Sequence, residues 1–205
     1  MFKTIFLGLL LTASAALAQS ETEQTFSQRQ SDLIRRIESY FNGIKTIKSR
    51  FYQTSGDGTT AQGDFYVLKP NKMRLIYAPP HAIEIVADGY YLIFHDKKLE
   101  QVTYLDLNDN PAAFILKDDL SFAKEGLEIV DFETETGFVS VTIAKKNQPV
   151  TGKITLTFKE KPFTLKQWRV TDARQIETTV TLDNMETNLP VDAKLFKFKD
   201  PRKNR

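Results

Sequence analysis

The chain changes its hydrophobic period once, and that change divides it. Before Ile47 the period is helical: Leu33, Ile37 and Phe41 recur at i, i+4 and i+8, with Ile34, Tyr40 and Ile44 flanking the same stripe. Thr25 and Gln28 have the spacing of a capping box, and Asn42-Gly43 offers a stop through the left-handed conformation that glycine tolerates. These signals predict an amphipathic helix packed on a sheet. From Ile47 onward the period is two. Ile47, Ser49, Phe51 and Gln53 alternate with Lys48, Arg50, Tyr52 and Thr54 until Ser55-Gly56-Asp57-Gly58 turns the chain. Phe65 and Val67 lead to Lys69-Pro70-Asn71, and Met73, Leu75 and Tyr77 lead to Pro79-Pro80. Ile83, Ile85 and Ala87 precede the hairpin signal Asp88-Gly89, followed by Tyr91, Ile93 and a turn at His95 to Lys98. Leu99, Gln101 and Thr103 continue the alternation.

The strand pattern breaks at Asn108 to Asp119. Asn110 is a good N-cap and Pro111 suits the first helical position, so Ala112 to Lys117 reads as a short helix, with Phe114, Ile115 and Leu116 making it apolar on more than one side. Strands resume at Leu127 to Phe132, Phe138 to Ile143, Gly152 to Phe158, Phe163 to Thr171 and Ile176 to Leu182. A last one is expected at Leu195 to Phe198. About a dozen short strands with no long helical pattern between them indicate antiparallel pairing and a mainly β fold. A sheet of that size curls or closes, so the expectation is a strongly curved sheet or an incomplete antiparallel β-barrel covered by α-helices. Phe51, Phe65, Val67, Met73, Leu75, Ile85 and Ile93 share the inferred inward parity and should line one apolar space. Periodicity leaves open whether side chains or a ligand fill it.

The N-terminus reads separately. Lys3, the apolar run Ile5 to Leu11 and the small residues ending Ala16-Leu17-Ala18 form the pattern of a secretory signal peptide over residues 1–18. The run is too short for a membrane span, which needs roughly 20 apolar residues. Residue 19 is Gln19, not Cys, so no lipid anchor is expected, and residues 19–205 form one exported domain. The charge is nearly balanced, with 28 Lys+Arg against 26 Asp+Glu, which gives no sequence-wide footprint for nucleic acid. Cysteine is absent, so there is no disulfide framework, thiol nucleophile or thiolate metal site.

Catalytic constellations are scarce. The two histidines, His81 and His95, read as turn or surface residues and lack the spacing of a helical zinc site. There is no G-x-S-x-G elbow, P-loop or G-x-G-x-x-G. Acidic pairs such as Asp118-Asp119 leave a carboxylate-dependent hydrolase as a reading with no assembled site behind it. No catalytic residue, metal or cofactor is therefore assigned. The chain is instead rich in aromatic residues, with 15 Phe, 7 Tyr and the single Trp168. Lys69 stands in line with a buried face; from its own neighbourhood it is a strand-end residue beyond the core, since Pro70-Asn71 follows at once.

Ser49-Arg50-Phe51-Tyr52-Gln53 and the run Gly63 to Arg74, which contains Leu68-Lys69-Pro70-Asn71, resemble the opening of the periplasmic outer-membrane lipoprotein carrier family (LolA). Ile85 to Leu92, Leu99 to Val102 and the close Val191 to Phe198 extend the likeness in the right order. The resemblance implies a half-open barrel under helices, enclosing a hydrophobic cavity for lipoprotein acyl chains, and no enzymatic reaction. It implies acylated lipoproteins as cargo, an inner-membrane lipoprotein-releasing transporter as source, and an outer-membrane receptor, if present, as acceptor. The carrier itself is expected to be a periplasmic monomer. Within the family, the residue before Pro-Asn is usually an arginine that bonds the lid helices and holds the empty carrier closed. Here it is Lys69, which brings a point charge in place of a planar fork. The stretch with Phe114, Ile115 and Leu116 matches the family lid. A second reading shares the half-barrel: a periplasmic lipid-sensing module of envelope-stress signalling. That reading expects a further C-terminal domain, whereas this sequence ends at Arg205, soon after the closing motif.

Overall fold

A computed structural model describes residues 11–110, 112–147 and 152–204. Residues 1–10 of the expected signal peptide, and Pro111, lie outside the described residues. Packing divides the chain into two units, Met1–Ile37 and Glu38–Arg205. The backbone of the first is helical from Leu11, within α1 (Leu11–Asn42). Helix continues through Thr25, so the expected capping box does not form. A helix start needs non-helical backbone at the cap, and the residues before Thr25 continue the helix instead.

The last turn of α1, in the second unit, packs on the sheet. The Tyr40 ring meets Phe158 at 5.5 Å and Phe163 at 5.9 Å, and Phe41 meets Phe158 at 6.2 Å. Tyr40 Oη accepts a 3.1 Å bond from the Leu165 amide, beside the register shift between Leu165 and Gln167. The helix stops without a left-handed glycine. Gly43 keeps a negative φ; its amide bonds the Ser39 carbonyl at 3.0 Å, and its carbonyl accepts from Asn188 Nδ2 at 2.9 Å.

Among the described residues eleven strands follow: β1 (Thr46–Ser55), β2 (Thr60–Leu68), β3 (Lys72–Tyr77), β4 (Ile83–Asp88), β5 (Tyr91–Asp96), β6 (Gln101–Asp106), β7 (Leu127–Glu135), β8 (Phe138–Lys145), β9 (Lys153–Glu160), β10 (Phe163–Thr171) and β11 (Glu177–Thr187). They form one antiparallel sheet in the order β6-β5-β4-β3-β2-β1-β11-β10-β9-β8-β7. Its edges, β6 and β7, are not paired with each other, so the sheet is open. It is also strongly curved. Phe65 on β2 and Trp168 on β10 have rings 5.2 Å apart although β1 and β11 stand between them. In a flat sheet those strands would lie about 14 Å apart. Ser49, the polar member of an inward strand, has its Oγ 2.8 Å from the carbonyls of Arg50 and Asp183, where the β1–β11 register shifts.

The expected strand at Leu195 to Phe198 is not formed. A 3₁₀ turn (Ala193–Phe196) leads into a tail that crosses the outer face. Arg74 Nη1 bonds the Leu195 carbonyl at 2.6 Å, the Phe198 ring meets His95 at 5.5 Å, and Tyr104 Oη bonds Asp200 at 3.0 Å. These partners belong to β3, β5 and β6 in turn, so the tail runs across strands and not beside one. Its alternating pattern is met by packing Phe196 and Phe198 inward, which needs no ladder. His95, expected in a turn, lies in β5 and is buried, with Nδ1 3.0 Å from Glu84 Oε1. Glu84 also pairs with Arg74 and, at 3.3 Å, with Lys97. A buried carboxylate needs such partners, and His95 is one of them.

Candidate functional site

Five strands and the segment joining β6 to β7 enclose a cavity of about 130 Å³ on the concave face. Phe65, Met73, Leu75 and Ile85 line it, as the alternation predicts, together with Leu92, Trp168 and Val170. The register explains the grouping, since Phe65 pairs with Leu75 and Leu75 with Ile85. Phe51 and Val67 lie on the same face without lining the cavity. Phe51 packs edge-on to Tyr77 at 5.1 Å, over Gly63. A Cβ at Gly63 would meet the Phe51 ring at 2.8 Å and the Ile76 carbonyl oxygen at 2.0 Å, so only glycine fits there. Val67 is fully buried beside its strand partner Met73.

Ile93 is the residue that alternation misplaces. It is buried with Val86 and Val102 under Phe198, on the opposite face of the sheet. The cause is the hairpin. Asp88 and Tyr91 flank a two-residue connection, Ala87 pairs with Leu92 and Val86 with Ile93. A two-residue turn makes paired residue numbers sum to an odd value, so odd positions on β4 share a face with even positions on β5. Leu92 therefore occupies the place expected for Ile93.

The roof of the cavity is the segment between the sheet edges. Leu107, Asn110, Ala113, Ile115 and Leu116 point into it, from the 3₁₀ turns Leu107–Asp109 and Ala113–Leu116 and the residues between. The expected helix at Ala112 to Lys117 is thus a single 3₁₀ turn. Ile115 and Leu116 face the cavity, whereas Phe114 packs on Phe122 at 6.4 Å. Phe122 opens α2 (Phe122–Glu125), which Ser121 caps.

Polar bonds fasten this roof. Asn42 Oδ1 accepts from the Leu120 amide at 2.7 Å while its Nδ2 donates to the Leu120 carbonyl at 3.0 Å. Glu38 accepts from the Phe122 amide at 2.7 Å, and Lys45 pairs with Asp118 at 2.8 Å. The Asn71 amide donates to the Leu116 carbonyl at 2.9 Å. Lys69, two residues earlier in the same turn, is 7% exposed, and its Nζ donates to the Phe41 carbonyl at 2.7 Å. That carbonyl belongs to the last turn of α1, where carbonyls lack helical partners and the helix end is electronegative. Burial lowers the Lys69 pKa from 10.5 to about 8, against a smaller raising effect of Asp118. Lys69 is therefore at a strand end, as its neighbours indicate, but not beyond the core: the turn folds its side chain under the end of α1, where it is buried. Asn42, Asn71, Leu92 and Trp168 carried no functional assignment in the sequence. Of these, Leu92 alone had a usable signal, the two-residue turn.

Among the described residues, no charged side chain lines the cavity. Tyr77, pushed up to about 12 by burial, donates to Gln53 Oε1 at 2.7 Å and stays neutral. Such a space suits apolar matter and offers neither nucleophile nor acid–base pair.

Residues 42–199 match the family described as outer membrane lipoprotein carrier protein LolA. An outer-membrane lipoprotein carrier protein of Leptothrix cholodnii is 28% identical over 182 residues, covering 84% of each chain. One from Methylococcus capsulatus is 27% identical, covering 85% of this chain and 87% of its own. Among solved structures, a LolA superfamily protein from Nitrosomonas europaea aligns with 80% of this chain and 97% of its own, at a TM-score of 0.42 and 11% identity.

Proposed function

The chain belongs to the outer membrane lipoprotein carrier family, and from that premise we propose that it is a periplasmic chaperone for lipoprotein acyl chains. It is exported by the signal peptide at residues 1–18, receives cargo from an inner-membrane lipoprotein-releasing transporter and delivers it to the outer membrane. The observation that carries this reading is the neutral, apolar cavity beneath a roof held by individual hydrogen bonds. Each methylene kept from water is worth about 0.8 kcal/mol, so a 16-carbon chain resists crossing an aqueous space by on the order of 12 kcal/mol. A shielding cavity removes that barrier. As it stands, the cavity of about 130 Å³ is below the roughly 300–1,000 Å³ usual for ligand pockets. The roof must therefore lift for cargo to enter; the bonds from Asn42 and Asn71 to its backbone set the cost of lifting it, and Lys69 holds the end of α1 that carries Asn42.

The test is binding of an environment-sensitive fatty-acid probe to the mature chain, with mass spectrometry of lipid that copurifies from the periplasm. Wild type should bind the probe, and Leu75→Glu should bind it at least ten-fold less, because an unpaired carboxylate then sits in the cavity wall. Unchanged probe binding in a folded Leu75→Glu protein would show that the acyl chain goes elsewhere.

A further inference from the structure

The charge of this chain is nearly balanced in total and unevenly placed. The tail after β11 exposes Lys194, Lys197, Lys199, Arg202 and Lys203. Phe198 and Asp200 alternate with these lysines and point to the sheet, so Lys197 and Lys199 point to solvent. Asp200 is buried and already engaged by Arg202 at 2.7 Å. Among the described residues, no carboxylate lies within ion-pairing distance of Lys194, Lys197, Lys199 or Lys203. At the far edge of the sheet, β7 exposes Glu128, Asp131, Glu133 and Glu135. The β6 edge itself exposes Asp106, with Glu100 and Asp109 beside it, so the positive charge belongs to the tail that lies over this edge and not to the edge strand.

Tyrosines stand beside the basic tail. Tyr90 is 80% exposed and Tyr91 50%. Both are held at the β4–β5 turn because Asp88 accepts from their amides at 3.0 and 2.9 Å. Tyr91 contacts Tyr104 at 5.7 Å, and Arg202 lies 5.9 Å over the Tyr104 ring, which makes tyrosines and tail one continuous surface.

We propose that this surface, the tail lysines with Tyr90 and Tyr91, docks the protein on an anionic phospholipid bilayer. Unpaired lysines above an anionic leaflet attract it without fixed geometry, and tyrosine settles at the boundary between headgroup and acyl chain. An acidic protein surface is the poorer match. Fixed carboxylates are best met by forked arginine donors, and the tail's arginine is already tied to Asp200. The proposal does not depend on what the cavity holds, since the surface lies on the other face of the sheet.

The experiment is cosedimentation of the mature chain with vesicles of phosphatidylcholine alone and of phosphatidylcholine with phosphatidylglycerol. Each lysine near an anionic surface contributes roughly five-fold in affinity, so replacing Lys197, Lys199 and Lys203 by Gln should weaken binding to the anionic vesicles by roughly a hundred-fold. The side chains of Lys197 and Lys199 face solvent, so the melting temperature should not move. Raising salt from about 50 to about 300 mM should weaken wild-type binding by at least ten-fold. Tyr90→Ser with Tyr91→Ser should lower it several-fold, and Glu133→Gln with Glu135→Gln should not lower it. Three results overturn the proposal: no binding to anionic vesicles at low salt, equal binding to neutral ones, or full binding by the triple Gln variant. Binding that is lost in Leu75→Glu but kept in the triple Gln variant is lipid uptake by the cavity, and it overturns the proposal as well.

Discussion

Lys69 brings a positive charge into a place nearly free of water, and one carbonyl receives it. If the roof lifts only when the Lys69 bond to the Phe41 carbonyl of α1 breaks, that bond stabilises the closed state by about 1 kcal/mol, the usual net worth of a hydrogen bond and one that a neutral amine also donates. Under the proposed function cargo needs the open state, so its apparent affinity is the intrinsic one multiplied by the fraction of molecules that are open. Lys69→Leu should then raise acyl-probe affinity by roughly five-fold and slow hand-off to an acceptor membrane. Lys69→Arg should lower the affinity, because a fork reaches further carbonyls of the same helix end. If all three proteins bind and release alike, the Phe41 bond is not a latch. The same residue gives a pH signature. Burial holds its pKa at about 8, whereas water around an open roof returns it toward 10.5. Between those values the closed state has released its proton and the open state keeps it, so rising pH favours closure. Probe affinity should be flat below pH 8 and fall several-fold between about pH 8 and 10, and Lys69→Leu should abolish the fall. An affinity that rises over that window, or a fall that persists in Lys69→Leu, would place the titrating group elsewhere.

At the scale of elements, the roof is a short segment with little helix of its own, and Asn42 supplies its firmest anchor. One side chain satisfies both the amide and the carbonyl of Leu120. Asn42→Ala removes both bonds, a loss of about 1–3 kcal/mol from the closed state. Hydrogen exchange at the Leu120 amide should quicken by at least ten-fold and probe affinity should rise, with the strand amides unchanged. Unaltered exchange at Leu120 would mean that packing of Phe114 on Phe122 holds the roof alone. Sequence alternation was a good guide to this architecture because a half-buried strand must alternate. Strands β1 to β11, and four of the cavity-lining residues, were legible for that reason. Parity, however, is a property of a pair of strands and not of one. The Asp88-Gly89 signal announced a hairpin, and its two-residue length already implied the switch that puts Leu92 inside and Ile93 outside. The tail failed differently. Lys197-Phe198-Lys199 alternates as a strand does, but alternation records only that one side is covered, not whether a ladder or a sheet face covers it. Asn42 was legible as a stop signal and not as an anchor, because its partner lies 78 residues away.

For the second unit as a whole, the sheet separates two jobs. Its concave face and the roof line the cavity, and under the proposed function they would govern access to it. Its outer face holds the tail through Arg74, Glu84, His95 and Lys97, with Phe198 above His95. Burial pushes the Glu84 carboxyl up, but bonds from His95 and Arg74 more than offset it, so its pKa lies below the ordinary value of 4.5. The stability this cluster supplies is present above that value and is lost as pH falls through the lowered one. The roof anchors and this cluster share no hydrogen-bond partner, so their effects should be independent. Glu84→Gln should lower global stability by about 3 kcal/mol, since a buried ion cluster loses its central charge, while probe affinity stays within two-fold. Asn42→Ala should do the reverse, with a clear change in probe affinity and a smaller one in stability. Combined in one protein, the two should add to within about 0.5 kcal/mol in denaturant unfolding. A coupling above about 1 kcal/mol, or a shift in probe affinity from Glu84→Gln alone, would mean that the curved sheet transmits strain between its faces. In that case the tail would regulate the cavity, and loading and docking would be parts of one motion.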